Sequence, residues 1–182
     1  MNTIKAIFSR RSIRKYQDKP IEKSVIDEII GAGIMAPSGK NRQPWRYMVI
    51  QNDKALKNGI ADIMIEKLDK NPDMDPGSIR NSAEIIKQAP VFIVAFNTWH
   101  GKIPNSNLQS IGASIQNICL AAWEHEIGTC WICDIDHCFD EIKEFLKVPD
   151  DWYPVAGITM GAPAINPSVM SRLTLNDIAK FK

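Results

Sequence analysis

The stretch of this chain that most restricts its fold lies at residues 36–45. It contains Pro37, Gly39 and Pro44, and with two prolines and a glycine neither a helix nor a regular strand passes through it. A helical pattern precedes it and a strand pattern follows it from Tyr47. The polar side chains between the prolines are Ser38, Lys40, Asn41, Arg42 and Gln43. A fixed loop so rich in hydrogen-bond donors suits a polar, flat or anionic ligand, whereas an ordinary surface loop stiffened by proline is the plainer alternative.

Length and charge limit the classes of protein that fit. The chain has 182 residues, 45% of them hydrophobic and 24% charged, which is typical of one soluble globular domain spanning residues 1–182. A formal net charge of +1 gives no basic excess for nucleic acid. Residues 1–8 lack a secretory signal pattern, and the long charge-free stretches contain proline, asparagine or serine, so we expect no membrane span. Four cysteines without framework spacing indicate free thiols in a reducing cytoplasm.

Hydrophobic periodicity predicts four strands that alternate with helices. We expect strands at residues 47–50, 91–96, 127–133 and 153–159, and helices at residues 1–11, 24–34, 53–70, 78–88, 105–125 and 139–146. Capping patterns mark helix starts at residues 24–27 and 174–177. The predicted fold class is therefore α+β, an α/β sandwich without a repeat or a second domain.

The helix expected at residues 105–125 has no charged face. Ile111, Ile115 and Ile118 recur at helical spacing, and the other sides carry small, uncharged residues such as Gly112. A helix of this kind is buried all round. A small domain buries it most easily against a second copy of itself, so the sequence predicts a homodimer.

Arg10, Arg11, Ser12 and Arg14 form a basic run just after the first helix. Such a run is most often a solvated face. Here the arginines lie on both sides of a serine, and arginine forks combined with a hydroxyl are typical of phosphate recognition. We therefore regard this run as a candidate phosphate site.

Two further patterns suggest chemistry that we reject. Cys130 and Cys133, with His137 and Cys138 close behind, raise the alternative of a metal or dithiol site. In an extended strand, residues three apart point to opposite faces, so Cys130 and Cys133 could not share a metal or a disulfide, and we expect no metal. The glycine pattern at residues 31–36 matches a dinucleotide motif, but it closes a helix instead of opening one.

Five segments, taken in order, resemble the nitroreductase family of FMN flavoproteins. They are residues 10–14, residues 36–45, the helix around 112–122, residues 127–132, and Gly161 and Pro163 followed by Arg172. Each motif is weak alone, but their order and spacing are specific, and together they cover nearly the whole chain. The resemblance implies a central mixed, mainly antiparallel sheet flanked by helices. It also implies a domain-swapped homodimer with two FMN sites at the interface, each built from both subunits.

The resemblance implies roles for residues at the phosphate end of FMN. Arg10, Ser12 and Arg172 would hold the phosphate, and Arg11 would support the phosphate or the ribityl chain. Arg14 would lie near the pyrimidine edge of the ring. A guanidinium at that position stabilises the negative charge of the reduced flavin and raises its reduction potential.

The resemblance also implies which residues surround the flavin ring. Pro37 and Ser38 of the other subunit would meet its edge, with Asn41 nearby. One ring face would be lined by Trp131, Ile132 and Cys133. The backbone N–H of Cys133 would donate to N5, and the other face would stay open for nicotinamide and then for substrate.

The implied activity is the ping-pong reduction of nitroaromatics, quinones or related small acceptors, driven by NADH or NADPH. Alternatives with the same fold are reductive dehalogenation, enoate or azoline oxidation, and flavin breakdown. A protein that binds FMN without turnover is a further alternative. Because flavin performs the hydride transfer, no side chain is certain as a catalyst.

Three departures from the family pattern leave the substrate open. Met170 stands where many relatives have a second basic residue, so Arg14 would act with less help. Cys133 and Asp134 replace two small residues, and a carboxylate there could repel electron density at the flavin or reject anionic substrates. The chain is also compact, so only residues 53–88 are free to act as a lid.

Overall fold

The computed structural model describes residues 2–98 and 105–182. Its four strands are β1 (Trp45–Gln51), β2 (Val91–Asn97), β3 (Gly128–Ile132) and β4 (Tyr153–Gly161). They form one sheet in the order β1-β2-β4-β3, with every neighbouring pair antiparallel. A parallel pairing occurs at an isolated bridge between Ser12 and Thr129. The four predicted strands and the mainly antiparallel sheet are thereby confirmed.

Seven α-helices are found among the described residues. They are α1 (Thr3–Ser9), α2 (Lys23–Ile34), α3 (Lys54–Asp69), α4 (Pro76–Gln88), α5 (Asn105–Glu124), α6 (Phe139–Leu146) and α7 (Leu175–Ile178). Two short 3-10 helices lie at Gly39–Asn41, before β1, and at Asp134–Cys138, before α6. Helix α4 begins earlier than predicted because Pro76 occupies its first turn and the Asp75 side chain accepts from Gly77 N–H at 2.9 Å.

The helices cover both faces of the sheet, as an α/β sandwich requires. Every residue of β2 is buried, and its side chains alternate between two apolar clusters. Ile93 packs on one face with α2 and α5, and Phe92 packs on the other with α3, α4 and α6. Each fully buried side chain of this size contributes about 1.5–3 kcal/mol through burial. The predicted α+β fold class is confirmed.

Three local predictions need correction. The capping box expected at residues 24–27 is wrong, because α2 begins at Lys23 after Glu22 and has no side-chain cap. Lys23 instead forms an ion pair with Asp27 at 2.6 Å, one turn along the helix. The third strand ends at Ile132, one residue early, since Cys133 has helical backbone angles and leads into a 3-10 turn. The first helix is also shorter than residues 1–11.

Other local predictions are confirmed. Asp53 caps α3 by accepting from Leu56 N–H at 2.8 Å, and the capping box between Thr174 and Asp177 is present. Gly33 closes α2 in contact with α5, where an added Cβ would lie 2.6 Å from Ile118 Cγ1. The small residues at the end of α2 therefore serve close helix packing.

Candidate functional site

The basic run at residues 10–14 lies along the start of strand β3. Ser12 pairs with Thr129 in the parallel bridge, and Ile13 N–H donates to Thr129 O at 2.8 Å. The fully buried Ile13 side chain fills the space above Gly128, where a Cβ would lie 2.4 Å from Ile13 Cγ1. Tyr16 Oη lies 2.6 Å from Ile13 O and 2.8 Å from Thr159 Oγ1. Packing and hydrogen bonds thus fix this segment to the sheet.

Arg10 has a buried polar atom without a partner. Within the described ranges, Arg10 Nε and Thr129 Oγ1 are buried and lack a conventional hydrogen bond. The polar neighbour of the Thr129 hydroxyl is the Cys119 thiol, a weak partner. Leaving a buried donor unpaired costs about 1–3 kcal/mol. An anionic oxygen bound beside Ser12 would satisfy Arg10, so the residues present fit a phosphate group.

Arg11 has a different task from Arg10. One of its terminal nitrogens lies 2.9 Å from Phe8 O and 2.8 Å from Arg10 O, so it binds carbonyls at the end of α1. This end of α1 is also held to α5, since Trp123 Nε1 donates to Ser9 Oγ at 2.8 Å. Arg11 therefore supports the segment that presents Arg10 and Ser12.

Arg14 is exposed at the same sheet edge. Burial raises the pKa of the Cys130 thiol, and the guanidinium groups of Arg14 and Arg10 oppose that rise. Arg14 also opposes the rise that burial causes in the pKa of Tyr16. These effects show that the field of the two arginines reaches β3, where it would attract an anion.

The end of β3 presents its side chains to opposite layers. Trp131 is 39% exposed and rests on α5, where a Cβ at Gly112 would lie 3.3 Å from its indole. Ile132 is only 2% exposed and packs in the core on the other face. Cys133 is exposed. Trp131 and Cys133 are therefore available to a ligand, whereas Ile132 can take part only through its backbone.

The surroundings of the exposed Cys133 disfavour its thiolate. Partial desolvation, followed by the Asp136 and Asp134 carboxylates, raises the pKa of Cys133. A raised pKa lowers the fraction of the nucleophilic thiolate. Among the residues that the structure describes, no group of three or more His, Cys, Asp or Glu side chains has metal-binding geometry.

The Asp134 carboxylate is bonded to helix α4, which the sequence did not indicate. Ser78 Oγ lies 3.0 Å from Asp134 Oδ1 and 2.9 Å from Oδ2, and Ser82 Oγ donates to Oδ2. Its charge is thus directed to hydroxyl groups of the α4 layer. The only sequence signal is that the two serines are four residues apart and so share one face of a helix.

The loop before β1 has an unusual backbone. Lys40, Asn41 and Gln43 have φ angles of 54°, 53° and 47°, in the left-handed region that side-chain-bearing residues rarely adopt. Ser38 Oγ accepts from Gln43 N–H at 3.0 Å and closes the loop on itself. Pro37 and Asn41 are exposed, and Ser38 is half-buried. Strain of this kind is concentrated at functional sites.

Sheet topology places this loop far from the basic run of the same chain. Strands β1 and β3 are the two edges of the sheet. Three inter-strand distances of about 4.8 Å therefore separate them, which is about 14 Å in total. Trp45 aligns through Asn97 with Tyr153, whereas Thr129 aligns with Met160. Seven residues of β4, at about 3.3 Å each, add about 23 Å along the strands. The loop and the run occupy diagonal corners of the sheet.

Arg172 lies on a tail in which every residue from 168 to 178 is exposed. Upstream of that stretch the tail is anchored at Pro163, which pairs with Tyr16, and at Ala164, whose N–H donates to Lys15 O at 3.0 Å. The structure therefore brings Arg10, Ser12 and β3 together. It does not bring Arg172 to them within the described part of one chain.

Large apolar side chains remain exposed on the first helix and on the tail. The largest exposed fraction is 75% on the first helix, at Phe8, and 84% on the tail, at Phe181. The others in these two regions are Ile4, Ile7, Ile165, Val169, Met170, Leu173, Leu175 and Ile178. Apolar surface of this extent marks an interaction site. The described helices include none long and apolar enough to cross a membrane.

The fold and the site define a class: an α+β protein with a basic segment at one sheet edge beside an exposed indole. Residues 7–162 match the model of the nitroreductase family. The "Putative NADH dehydrogenase/NAD(P)H nitroreductase" of Methanothermobacter thermautotrophicus is 32% identical over 170 residues, which cover 92% of this chain and 80% of that protein. The chain belongs to the nitroreductase family.

Two further relatives show how varied similar proteins are. A crystal structure described as a "putative nitroreductase in complex with FMN", from Desulfovibrio desulfuricans, is 28% identical with a TM-score of 0.81, covering 100% of this chain and 98% of that one. The iodotyrosine deiodinase of Danio rerio is 27% identical over 187 residues, covering 93% of this chain and 63% of that protein. This chain is a nitroreductase-family flavoprotein oxidoreductase.

Proposed function

We propose that this protein binds FMN and uses NADH or NADPH to reduce nitroaromatics, quinones or related small acceptors in a ping-pong cycle. The observation that carries the proposal is the buried, unpaired Arg10 Nε beside Ser12 at the edge of β3. A flavin phosphate supplies the oxygen that this donor lacks. Family membership and the FMN complex of the D. desulfuricans relative support the same cofactor.

A complete site requires two chains. The loop with Pro37, Ser38 and Asn41 lies diagonally across the sheet from Ser12, and Arg172 lies on the exposed tail. In a domain-swapped homodimer, the loop of the partner meets the flavin edge and the tail brings Arg172 to the phosphate. The apolar residues of the first helix and the tail are then buried against the partner. The half-buried side of α5 supports the same arrangement.

The roles of the protein side chains are binding and electrostatic control. FMN, when bound, supplies the hydride chemistry. Arg14 would place a positive charge near the part of the ring that becomes negative on reduction. Trp131 would line one ring face, and the backbone N–H of Cys133 would be the donor to N5. The opposite face would be left to nicotinamide and then to the acceptor.

Reductive dehalogenation is the second candidate. It is favoured by one observation, the similarity to an iodotyrosine deiodinase over 93% of this chain. Enoate or azoline oxidation, flavin breakdown and FMN binding without turnover remain alternatives for the same fold. The four free cysteines, three of them buried, support a reducing cytoplasm as the compartment.

The test is anaerobic titration of the purified protein. We expect the purified protein to be yellow. NADH or NADPH should bleach it, and a nitroarene or a quinone should restore the yellow colour. A halogenated phenol that restores the colour, when nitroarenes and quinones do not, would favour dehalogenation. Failure to bleach would indicate a binding protein, and loss of flavin during aerobic turnover would indicate flavin breakdown. A colourless protein that takes up no added FMN would contradict the proposal.

A further inference from the structure

Asp134 joins two parts of the fold that are distant in sequence. It follows Cys133 directly, and both of its carboxylate oxygens accept hydrogen bonds from Ser78, while Ser82 also donates to one of them. The two serines precede Asp134 by 56 and 52 residues. Ser82 is buried and Asp134 is half-buried, so solvent competes only partly for the Ser82 bond, whereas Ser78 is exposed.

The helix that carries the serines belongs to a hairpin with α3. The second half of α4 is held firmly by the buried Ile85 and Ile86. Its first two turns are held by Ile79 in the core, by an ion pair between Arg80 and Asp69 at 2.9 Å and by the buried Ala83. The bonds from Ser78 and Ser82 to Asp134 link these turns to the segment that carries Cys133.

The Asp134 carboxylate points away from Trp131, which is the candidate contact for the flavin ring. Trp131 rests on α5 in one layer, whereas α4 packs in the other layer with Ile132. Because both Asp134 oxygens are bonded to α4, the charge is engaged on the side of the sheet away from Trp131. This argues against a carboxylate that faces the flavin.

We propose that Asp134 is a positioning residue, which through Ser78 and Ser82 fastens the first turns of α4 to the turn that carries Cys133. This inference rests on the proposed function for one consequence. By holding the Cys133 backbone in place, Asp134 would keep its N–H directed to N5 of the flavin.

The experiment is a mutant cycle on the FMN-loaded protein. The variants are Asp134→Ala, the double variant Ser78→Ala/Ser82→Ala, and the triple variant. Hydrogen exchange of the amides of residues 76–83 is the first readout. Losing hydrogen bonds to a charged group should speed this exchange about tenfold in the first two variants. The triple variant should exchange no faster than either, because all three remove the same interaction.

Steady-state kinetics give the second readout. We expect Asp134→Ala to lower kcat severalfold while the KM for the acceptor stays within about twofold, since the Cys133 N–H is displaced from N5 but the flavin is retained. Asp134→Asn, which keeps one acceptor oxygen, should restore part of both effects. The matched control is Asp136→Asn, an exposed carboxylate of the same turn that lies 3.5 Å from His137 Nε2, and it should change neither readout.

Two results would overturn the inference. One is unchanged exchange at residues 76–83 in Asp134→Ala, and the other is additive effects of aspartate and serine replacement in the triple variant. The serine variants remove only an oxygen each, so they report on the interaction even if Asp134→Ala folds poorly. If the parent protein binds no FMN, the proposed function fails, yet the exchange cycle on the flavin-free protein still decides whether Asp134 fastens α4.

Discussion

The basic run beside β3 and the loop before β1 differ in how completely one chain builds them. The run is fixed by the buried Ile13, by two hydrogen bonds of Tyr16 and by pairing with Thr129. The loop has three positive φ angles, and most of its residues are exposed. One corner of the sheet is thus fixed by contacts within the chain, and the other has a strained and exposed backbone.

This difference separates the part of the candidate site that one chain can form from the part that it cannot. The run of Arg10 and Ser12 is positioned by contacts within one chain, so it forms when the chain folds. Under the proposed function, the loop and the exposed tail with Arg172 would complete the site only with a partner. Substitutions of residues that pack the run onto the sheet should therefore act on folding, and substitution of Arg172 should act on cofactor retention.

The largest effect is expected from Gly128→Val, which disturbs the packing of the basic run on β3. A side chain at this position would overlap Ile13, whose Cγ1 lies 2.4 Å from an added Cβ. We expect a loss of about 3 kcal/mol in the free energy of unfolding, measured by chemical denaturation. Gly31→Ala is the control, because nothing lies within 4 Å of its added Cβ and a mid-helix alanine should be neutral or stabilising. Equal stability of Gly128→Val and the parent would contradict the close packing.

Arg172→Ala tests the role of the exposed tail in cofactor binding. If Arg172 contacts the phosphate, its removal should weaken FMN binding by about 1.5–3 kcal/mol, which is roughly tenfold to hundredfold in Kd. Unfolding of the flavin-free protein and its oligomeric state should not change, because the side chain is exposed. Flavin titration checks the affinity, with Lys180→Ala as a control on the same tail. Unchanged FMN affinity would remove the phosphate role.

Arg14→Ala separates charge stabilisation from binding. We expect the midpoint potential of the flavin to fall by about 30 mV, equivalent to about 1.4 kcal/mol for a two-electron couple. FMN affinity should change less, because Arg14 is exposed and lies beyond the Arg10 and Ser12 pair. Spectroelectrochemical titration measures the potential. Identical potentials in variant and parent would show that Arg14 does not act on the reduced ring.

The smallest effect is expected from Tyr47→Phe, on the loop side of the sheet. Tyr47 Oη lies 2.6 Å from Ser114 Oγ, and losing this bond should cost about 1 kcal/mol. Burial raises the pKa of Tyr47 to about 12, from an ordinary value near 10. Folded protein therefore holds the proton more tightly, so stability is full below pH 10 and declines as the pH rises towards 12.

Denaturation at a series of pH values checks this prediction. The Tyr47→Phe variant should lose stability less steeply than the parent between pH 10 and 12. Tyr16, whose pKa burial also raises, keeps part of the slope in both proteins. Identical slopes would mean that Tyr47 does not contribute to the pH dependence.

Most of the fold could be predicted from periodicity, but the partners of individual side chains could not. The apolar run of β2 and the capping of α3 by Asp53 are local signals, and both are confirmed. The bonds from Ser78 and Ser82 to Asp134 span more than 50 residues, so no local pattern contains them. Likewise, whether Ser24 caps α2 depends on where the preceding chain turns.

The candidate site was predictable in part for the same reason. The sequence singled out the run with Arg10 and Ser12, but its position beside β3 and the unpaired Arg10 Nε emerge only from packing. Strand alternation could have placed the Ile132 side chain in the core, since its neighbour Trp131 faces the opposite layer. The roles of Arg172 and Ser38 stay predictions, because they depend on a second chain.

The exposed tail has a consequence for how the protein matures in a cell. A newly synthesised chain can fold its sheet alone, yet it keeps Leu173, Leu175 and Phe181 in contact with water. In the proposed homodimer, covering them takes an encounter between two molecules, so the waiting time would lengthen as expression falls. During that interval the tail is accessible to chaperones and proteases. Protein abundance would then depend on the synthesis rate more steeply than in a protein that folds as a monomer.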